Sequence, residues 1–408
     1  MIHQPPSGAR DLLPLEVAQK GWINDQLQSV FQKWGYQRIV TSTLEWTDTL
    51  LAGGAIDPKT LIQLQSGLEN SLGLRPELTA SIARAAVTRI SGDTDYPQRL
   101  CYRANVFRYP PAGYHGKQME FFQAGVELLF VGGILADTEI LLLVVDCLQS
   151  LGLKDWSVVL GDVNLTLSLL NIFPPSLRGE IRSCIVSLDR LKLEGLAFGS
   201  DELRQMALEI FDLRGQSDQV LERVSNFPLD MAGKKSVEHL KLLLNNHLAK
   251  IYPAGLPIVL DLSLLQSFDY YTGIVFQIVK AGNSGLRLLG QGGRYDQLLE
   301  LYHPQKKSSP GIGFSLNIED LYHSLLENDG LPQSAPTNDW LVIPQDFAAE
   351  PASLLYAQTL RSGDSSLRVE IDLTRYEPEQ IREYAFARGI ANLAWVSAEG
   401  PPLIERIC

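Results

Sequence analysis

Two segments of the chain decide its fold: residues 101–108, CYRANVFR, and residues 120–129, EFFQAGVELL. Both contain the aromatic and β-branched residues that are typical of strands. Residues 109–117 between them, YPPAGYHGK, hold two prolines and two glycines, which favour a loop. Two strands joined by such a loop predict an antiparallel hairpin, because a parallel pair needs a longer crossover that is usually helical.

Helical and strand patterns surround the hairpin. Apolar residues at helical spacing predict helices over residues 16–34, 76–90, 137–151 and 319–326. β-rich runs predict strands over residues 36–40, 157–160, 258–261, 272–279, 286–290 and 311–316. Residues 1–328 therefore predict an α+β core, an antiparallel sheet flanked by helices, with a leucine-rich helical insertion at about 165–250.

The end of the chain has a different pattern. Residues 327–338 contain Asn328-Asp329-Gly330, Pro332 and Pro336, a composition typical of a linker. Beyond them, strand and helix patterns alternate. Residues 336–408 therefore predict a small C-terminal α/β domain with a partly parallel sheet.

Composition limits the class of protein. A formal net charge of −12 argues against a chain that coats nucleic acid, which is normally basic. The four cysteines show no metal-ligand spacing, so we expect reduced structural thiols, no metal site and a cytoplasmic location. The most apolar stretch, residues 126–148, is interrupted by four acids, which argues against a membrane span. The run of residues 140–145 within it predicts one buried helix.

Polar residues in two segments fit a binding site for an amino acid. In LRPELT, residues 74–79, Glu77 at a helix start is suited to an ammonium group; a capping acid on a solvated turn is the competing interpretation. Gln123 and Glu127 are four residues apart on a strand and so point to the same face. They suit a zwitterion's amine, and the alternative is a solvated strand face.

Two further segments are equally ambiguous when taken alone. Tyr270 and Tyr271 in residues 268–276, FDYYTGIVF, fit the wall of a pocket for a ring, or packing in the core. Residues 290–296, GQGGRYD, form a glycine cluster that is usually a tight turn, and Arg294 fits a surface ion pair. Phosphate-loop, zinc-protease and nucleophile-elbow motifs do not occur in the sequence, so the sequence offers no generic motif for a nucleotide, metal or nucleophile site.

Taken in order, these segments resemble the catalytic core of histidyl-tRNA synthetase, a class II aminoacyl-tRNA synthetase. The likeness covers residues 5–325 and includes GARDLLP (8–14), WGY (34–36), RPE (75–77), the hairpin (102–127), DYY (269–271), GGRYD (292–296) and GF (313–314). The resemblance implies a class II fold. It also implies that histidine binds at Glu77, Thr79, Gln123, Glu127, Tyr270 and Tyr271, with Arg108 near the carboxylate and phosphate.

Departures from the family pattern fall on the ATP side. Gln266 and Asp320 stand where the family has arginines, and Tyr109-Pro110-Pro111 replaces the His-Glu that follows Arg108. Losing one Arg–phosphate contact costs ~2–5 kcal/mol, and a carboxylate about 4 Å from a phosphate adds repulsion of ~4 kcal/mol. A combined loss above ~8 kcal/mol approaches a million-fold in rate, which predicts that the chain does not activate histidine.

One non-catalytic branch of the family resembles such a chain: the regulatory subunits of ATP phosphoribosyltransferase. This resemblance implies no catalytic residues and no cofactor in this chain. It also implies a short-form catalytic subunit as partner, in a hetero-octamer built on synthetase-like dimers, at the first step of histidine biosynthesis. Histidine is then the feedback effector, bound in the retained pocket or at the interface with the partner. The alternatives are an active histidyl-tRNA synthetase and a tRNA-binding paralogue; we expect neither nucleic acid nor membrane as a partner.

Overall fold

The computed structural model of the protein describes residues 3, 5–54, 56–64, 71–90, 96–110, 118–264, 270–282, 285–328 and 330–407. The chain forms two compact units. We call residues 1–11 and 20–331 the core unit, and residues 12–19 and 332–408 the C-terminal unit. The first long helix, Pro14–Lys33, therefore contributes residues to both units.

A nine-stranded sheet forms the centre of the core unit. Its strands, in spatial order, are Gln37–Arg38, Gln98–Phe107, Glu120–Leu129, Gly311–Asn317, Gly285–Arg294, Ile274–Gly282, Trp156–Asp162, Ile258–Asp261 and Arg214–Gln216. The first pair and the pair of Trp156–Asp162 with Ile258–Asp261 are parallel, and the other six pairs are antiparallel. The predicted hairpin is confirmed, in register from Gln98 opposite Leu129 to Phe107 opposite Glu120.

Helices and a small second sheet complete the framework of the core unit. Its helices outside the insertion are Pro14–Lys33 (in part), Thr47–Leu51, Thr79–Ala85, Ile134–Ser150, Leu298–Tyr302 and Ile318–Leu326, with a 3-10 turn at Pro58–Thr60 and a π-turn at Ala86–Ile90. Three short strands, Leu44–Trp46, Gln63–Leu64 and Leu72–Leu74, form the second sheet. Sequence patterns missed this sheet because strands of two or three residues are too short to show an alternation.

The buried helix predicted at residues 140–145 is confirmed, within helix Ile134–Ser150. Ile140, Leu143 and Val144 of helix Ile134–Ser150 lie in the same apolar core as Phe31 of the first helix and Phe314 of the central strand. No helix in the described part of the chain has the length and apolar character needed to cross a bilayer.

The helical insertion consists of Val163–Leu170, Pro175–Ser187, Arg190–Glu194, Asp201–Phe211, Ser217–Val224, Met231–Lys241, a π-turn at Leu242–Leu248, and Ala249–Ile251. Its leucines join the apolar core of the sheet. Strand Arg214–Gln216 interrupts the helices and pairs with Ile258–Asp261 at the sheet edge. Its sequence, Arg-Gly-Gln, carries no strand pattern, so only the tertiary pairing explains it.

The C-terminal unit is an α/β sandwich, as predicted. Its sheet order is Val369–Ile371, Trp340–Pro344, Asn392–Val396 and Leu403–Arg406; the first three strands are parallel and the last is antiparallel. Helix Pro378–Ala387 covers the face that carries Leu341, and helix Glu350–Gly363 covers the face that carries Val342. A 3-10 turn, Phe347–Ala349, precedes the latter helix.

The glycine cluster at residues 290–296 corrects one expectation. Its glycines lie on strand Gly285–Arg294, so the tight-turn interpretation is wrong. A Cβ at Gly290 would collide with the carbonyl oxygen of Ser315, and one at Gly292 with that of Gly313. These glycines therefore allow close packing against the neighbouring strand.

Removing the side chain of Ile140 tests this core. Ile140 is 0% exposed, so Ile140→Ala is expected to lower the free energy of unfolding by about 2–5 kcal/mol through lost burial and a cavity. Leu135 on the same helix is 72% exposed, and Leu135→Ala is expected to change it by less than ~0.5 kcal/mol. Urea denaturation measures both, and equal losses would contradict the burial of Ile140.

Candidate functional site

One cavity in the core unit collects all seven residues predicted for histidine binding. Its empty space measures about 440 Å³, which includes the solvent-filled opening. Its lining comprises Glu77, Leu78, Thr79, Tyr102, Arg108, Gln123, Glu127, Tyr270, Tyr271, Gln291, Tyr295, Gly313, Phe314 and Ser315. We call it the amino-acid pocket.

Glu127 is the most enclosed acidic residue of the amino-acid pocket, at 1% exposure. The Thr79 hydroxyl donates a hydrogen bond of 2.7 Å to Oε1, and the Tyr295 hydroxyl donates to Oε2. Gly313 lies against the carboxylate, and a Cβ there would collide with it. Burial raises the pKa of Glu127 to about 8, although the two hydrogen bonds act in the opposite direction.

Gln123 lies on the same strand as Glu127 and is also buried. The alternative of a solvated strand face is therefore wrong for both residues. Side chains alternate between the two faces of a sheet, so residues four apart on one strand point to the same face. Both side chains therefore line the amino-acid pocket.

Glu77 both caps a helix and lines the cavity. Its carboxylate accepts hydrogen bonds from the backbone N–H groups of Thr79 and Ala80, the latter at 2.9 Å, at the start of helix Thr79–Ala85. Burial raises the pKa of Glu77, while these hydrogen bonds and the charge of Arg108 lower it. The capping interpretation is thus right about the contact, but the carboxylate faces the pocket.

Two buried polar atoms of the pocket lack a hydrogen-bond partner among the described residues: Oε1 of Gln123 and Nε of Arg108. A buried polar atom left unpaired costs about 1–3 kcal/mol. The Arg108 guanidinium lies 4.9 Å from the ring centroid of Phe121, and burial lowers its pKa. An acceptor and a charged donor are therefore available to a ligand.

Tyrosines form the remaining wall. The ring centroids of Tyr270 and Tyr271 are 4.8 Å apart, and Tyr270 meets Tyr295 edge-on at 5.8 Å. Burial raises the pKa of Tyr102, Tyr270 and Tyr295, so their hydroxyls stay protonated as hydrogen-bond donors.

Sequence patterns did not single out Tyr102, Gln291 or Tyr295 as pocket residues. In the observed register of the hairpin, Tyr102 lies opposite Gly125, midway between Gln123 and Glu127 and on the same face as both. Once that register is known, the position of Tyr102 in the pocket follows. Tyr295 follows Arg294 at the end of a strand and reaches the pocket only through the packing of that strand.

The predicted departures from the synthetase pattern are only partly described. Tyr109 and Pro110 directly follow Arg108, and Asp320 lies in the first turn of helix Ile318–Leu326. Gln266, Phe268, Asp269 and Pro111 fall outside the described residues. Arg294 forms its predicted ion pair, but in a buried position, with Asp137 and Asp296.

Comparison with known proteins assigns the family. The sequence profile described as histidyl-tRNA synthetase matches residues 8–321. The ATP phosphoribosyltransferase regulatory subunit of Gloeothece citriformis is 58% identical over 100% of both chains. That of Nostoc sp. is 53% identical, again over 100% of both. The chain belongs to the family of ATP phosphoribosyltransferase regulatory subunits.

Solved structures confirm the class II fold of this family member. An ATP phosphoribosyltransferase regulatory subunit/histidyl-tRNA synthetase from Bacillus halodurans is 26% identical, with a TM-score of 0.82 over 98% of this chain and 100% of that one. A histidyl-tRNA synthetase from Nostoc sp. is 19% identical, with a TM-score of 0.77 over 99% and 97%. At that identity, the likeness to the synthetase concerns the fold alone.

The raised pKa of Glu127 predicts a pH-dependent stability. The folded chain keeps the Glu127 proton up to about pH 8, whereas the unfolded chain releases it near 4.5. Folding thus favours the protonated form, and the contribution of Glu127 to stability falls as pH rises from about 4.5 to 8. Glu127→Gln lacks this ionisation, so its stability relative to the wild type is expected to increase across that interval.

Urea denaturation at several pH values measures this effect. Glu120→Gln on the same strand is the control, because Glu120 is exposed. Parallel pH profiles for the wild type and Glu127→Gln would contradict a neutral, buried Glu127.

Proposed function

We propose that this chain is a non-catalytic regulatory subunit of ATP phosphoribosyltransferase that binds histidine in the amino-acid pocket. One observation carries the proposal: seven residues that match the amino-acid side of a synthetase line one cavity. Positions on the ATP side differ, as at Asp320 and Pro110.

The chemistry of the pocket suits a zwitterion with a basic ring. Arg108 is available to a carboxylate, and the unpaired Oε1 of Gln123 to an N–H donor. Glu77 and Glu127 attract an ammonium or imidazolium group, and a cation ionises a buried carboxylate by favouring its charged form. Faces of Tyr270 and Tyr271 suit a planar ring or a cation.

The same pocket is poorly suited to ATP. Within its described lining, Arg108 is the one cationic side chain, whereas Glu77 and Glu127 are acids. A triphosphate needs several charge-assisted contacts, and each lost contact costs ~2–5 kcal/mol when its partner remains buried. The pocket therefore favours binding of the amino acid without its activation.

The family of the chain indicates which protein it binds. Relatives at 53–58% identity carry the name of a regulatory subunit of ATP phosphoribosyltransferase, so this chain pairs with a catalytic subunit of that enzyme in the first step of histidine biosynthesis. We place the complex in the cytoplasm, as a hetero-octamer with short-form catalytic subunits around dimers of this chain. Histidine inhibits it because the bound and unbound pocket favour different states of the assembly.

Truncating Glu127 tests the histidine site. Glu127→Ala removes a buried carboxyl group that the cationic ligand ionises, and a hydrogen bond to a charged group is worth ~1.5–3 kcal/mol. Histidine is therefore expected to bind roughly ten- to hundredfold more weakly in calorimetry. Glu120→Ala, on the exposed part of the same strand, is expected to bind as the wild type does. Unchanged affinity in Glu127→Ala would place the effector elsewhere, such as the interface with the catalytic subunit.

Reconstitution with a short-form catalytic subunit tests the regulatory role. We expect the two proteins to co-purify, and phosphoribosyltransferase activity to appear only in the mixture and to fall when histidine is added. A mixture made with Glu127→Ala should keep the activity and lose most of the inhibition. Histidine-dependent ATP–pyrophosphate exchange by the chain alone would instead indicate a working synthetase and overturn the proposal.

A further inference from the structure

A second cavity lies on the other side of the segments that carry the pocket tyrosines. Its empty space measures about 780 Å³, including its solvent-filled opening, and its lining includes Asp137, His239, Thr272, Gly273, Arg294 and Asp296. Two segments, residues 270–273 and 294–296, each contribute some residues to the amino-acid pocket and other residues to the second cavity. We call these two segments the shared wall.

Neighbouring residues of the shared wall line different cavities. Tyr270, Tyr271 and Tyr295 line the amino-acid pocket. Thr272 and Gly273 follow the tyrosine pair, and Arg294 and Asp296 flank Tyr295; these four line the second cavity. A displacement of the wall on the side of the second cavity therefore moves residues that contact the pocket.

Three contacts join the two segments of the wall. The Thr272 N–H donates to the Arg294 carbonyl at 2.8 Å, and the Asp296 N–H donates to the Thr272 hydroxyl at 2.8 Å. Gly273 packs against the Arg294 stem so closely that an added Cβ would lie 2.9 Å from Cδ. The two segments are therefore joined by direct contacts, and Arg294 takes part in two of the three.

Arg294 is held by Asp137, a carboxylate that is 1% exposed. Arg294 Nε donates to Asp137 Oδ1 at 2.9 Å, and Nη2 contacts the same oxygen. The other oxygen, Oδ2, lies 2.6 Å from Nε2 of His239. One buried carboxylate thus links helix Ile134–Ser150, strand Gly285–Arg294 and helix Met231–Lys241.

His239 belongs to the helical insertion, which also contacts the wall directly. The Val163 N–H donates to the Gly273 carbonyl at 2.9 Å, and Asn164 Nδ2 donates to the Thr272 carbonyl at 2.7 Å. These two contacts are made by the first helix of the insertion, Val163–Leu170. The side-chain link through Asp137 comes from a different helix, so the insertion holds the wall at two places.

We propose that His239 is a positioning residue for the amino-acid pocket: through Asp137 and Arg294, it makes the placement of Tyr295 and the tyrosine pair depend on the helical insertion. The inference rests on the proposed histidine binding for its affinity readout. Removing His239 leaves Oδ2 of a buried carboxylate without its charge-assisted partner. Asp137 and Arg294 then readjust, and the adjustment reaches Glu127, which the Tyr295 hydroxyl holds.

Three full-length variants test this proposal. His239→Leu removes the hydrogen bond to Asp137, whereas His239→Gln keeps an N–H donor. His247→Gln is the control, because His247 is a half-buried histidine of the same insertion whose ring nitrogen contacts only the backbone carbonyl of Leu242 among the contacts described. We expect histidine affinity in calorimetry to fall about fivefold or more in His239→Leu, the lower end of typical coupling between sites. His239→Gln should recover most of this loss, and His247→Gln should match the wild type.

Hydrogen exchange followed by mass spectrometry separates positioning from simple loss of stability. In His239→Leu without ligand, peptides that contain residues 270–273 and 294–296 should exchange faster than in the wild type. Faster exchange confined to helix Met231–Lys241, or unchanged affinity in His239→Leu, would overturn the proposal. If the wild type binds no histidine, the proposed function fails; the exchange of the wall peptides still decides whether His239 positions the wall.

Discussion

The rest of the site depends on keeping the Glu127 carboxylate buried within the central sheet. Thr79 at a helix start and Tyr295 at a strand end donate hydrogen bonds to its two oxygens. Gly313 on the neighbouring strand provides the space. A buried carboxylate without such partners would be strongly destabilising. Three distant parts of the chain must therefore meet around one side chain, and the order of strands in the nine-stranded sheet brings them there.

A regulatory subunit has a different requirement from a synthetase, although both hold an amino acid. A synthetase must also stabilise charge that develops on phosphate during the reaction. A sensor needs only binding, and binding that differs between two states of its assembly. Under the proposed function, the pocket around Glu127 serves only the sensor's requirement, which is to bind the amino acid. Under the same proposal, Asp320 and Pro110 stand where the resemblance to the synthetase family expects residues that contact ATP.

Local patterns predicted the hairpin, the long helices and the α/β arrangement of the C-terminal unit, because each has a regular apolar period. Strand Arg214–Gln216 escaped prediction because only its partner strand defines it. In the site, Gln123 and Glu127 followed from strand alternation. The Tyr295–Glu127 contact and the buried Asp137–Arg294 pair did not, because their partners are 168 and 157 residues apart in the sequence. Family resemblance gathered the seven pocket residues; no single motif could have done so.

The glycines of the central sheet have a consequence for how this protein can change. At Gly292 and Gly313 the backbone of one strand or a pocket carboxylate occupies the space where a Cβ would lie. The absence of a side chain at Gly313 therefore leaves room for the Glu127 carboxylate, and its absence at Gly292 lets two strands pack closely. Evolution can remodel a pocket lined by large side chains in small steps, but here even one added methyl group blocks the space. An alanine at position 313 would place its Cβ on the Glu127 carboxylate and against the Val126 carbonyl, so no side chain can be added there without moving the neighbouring strand.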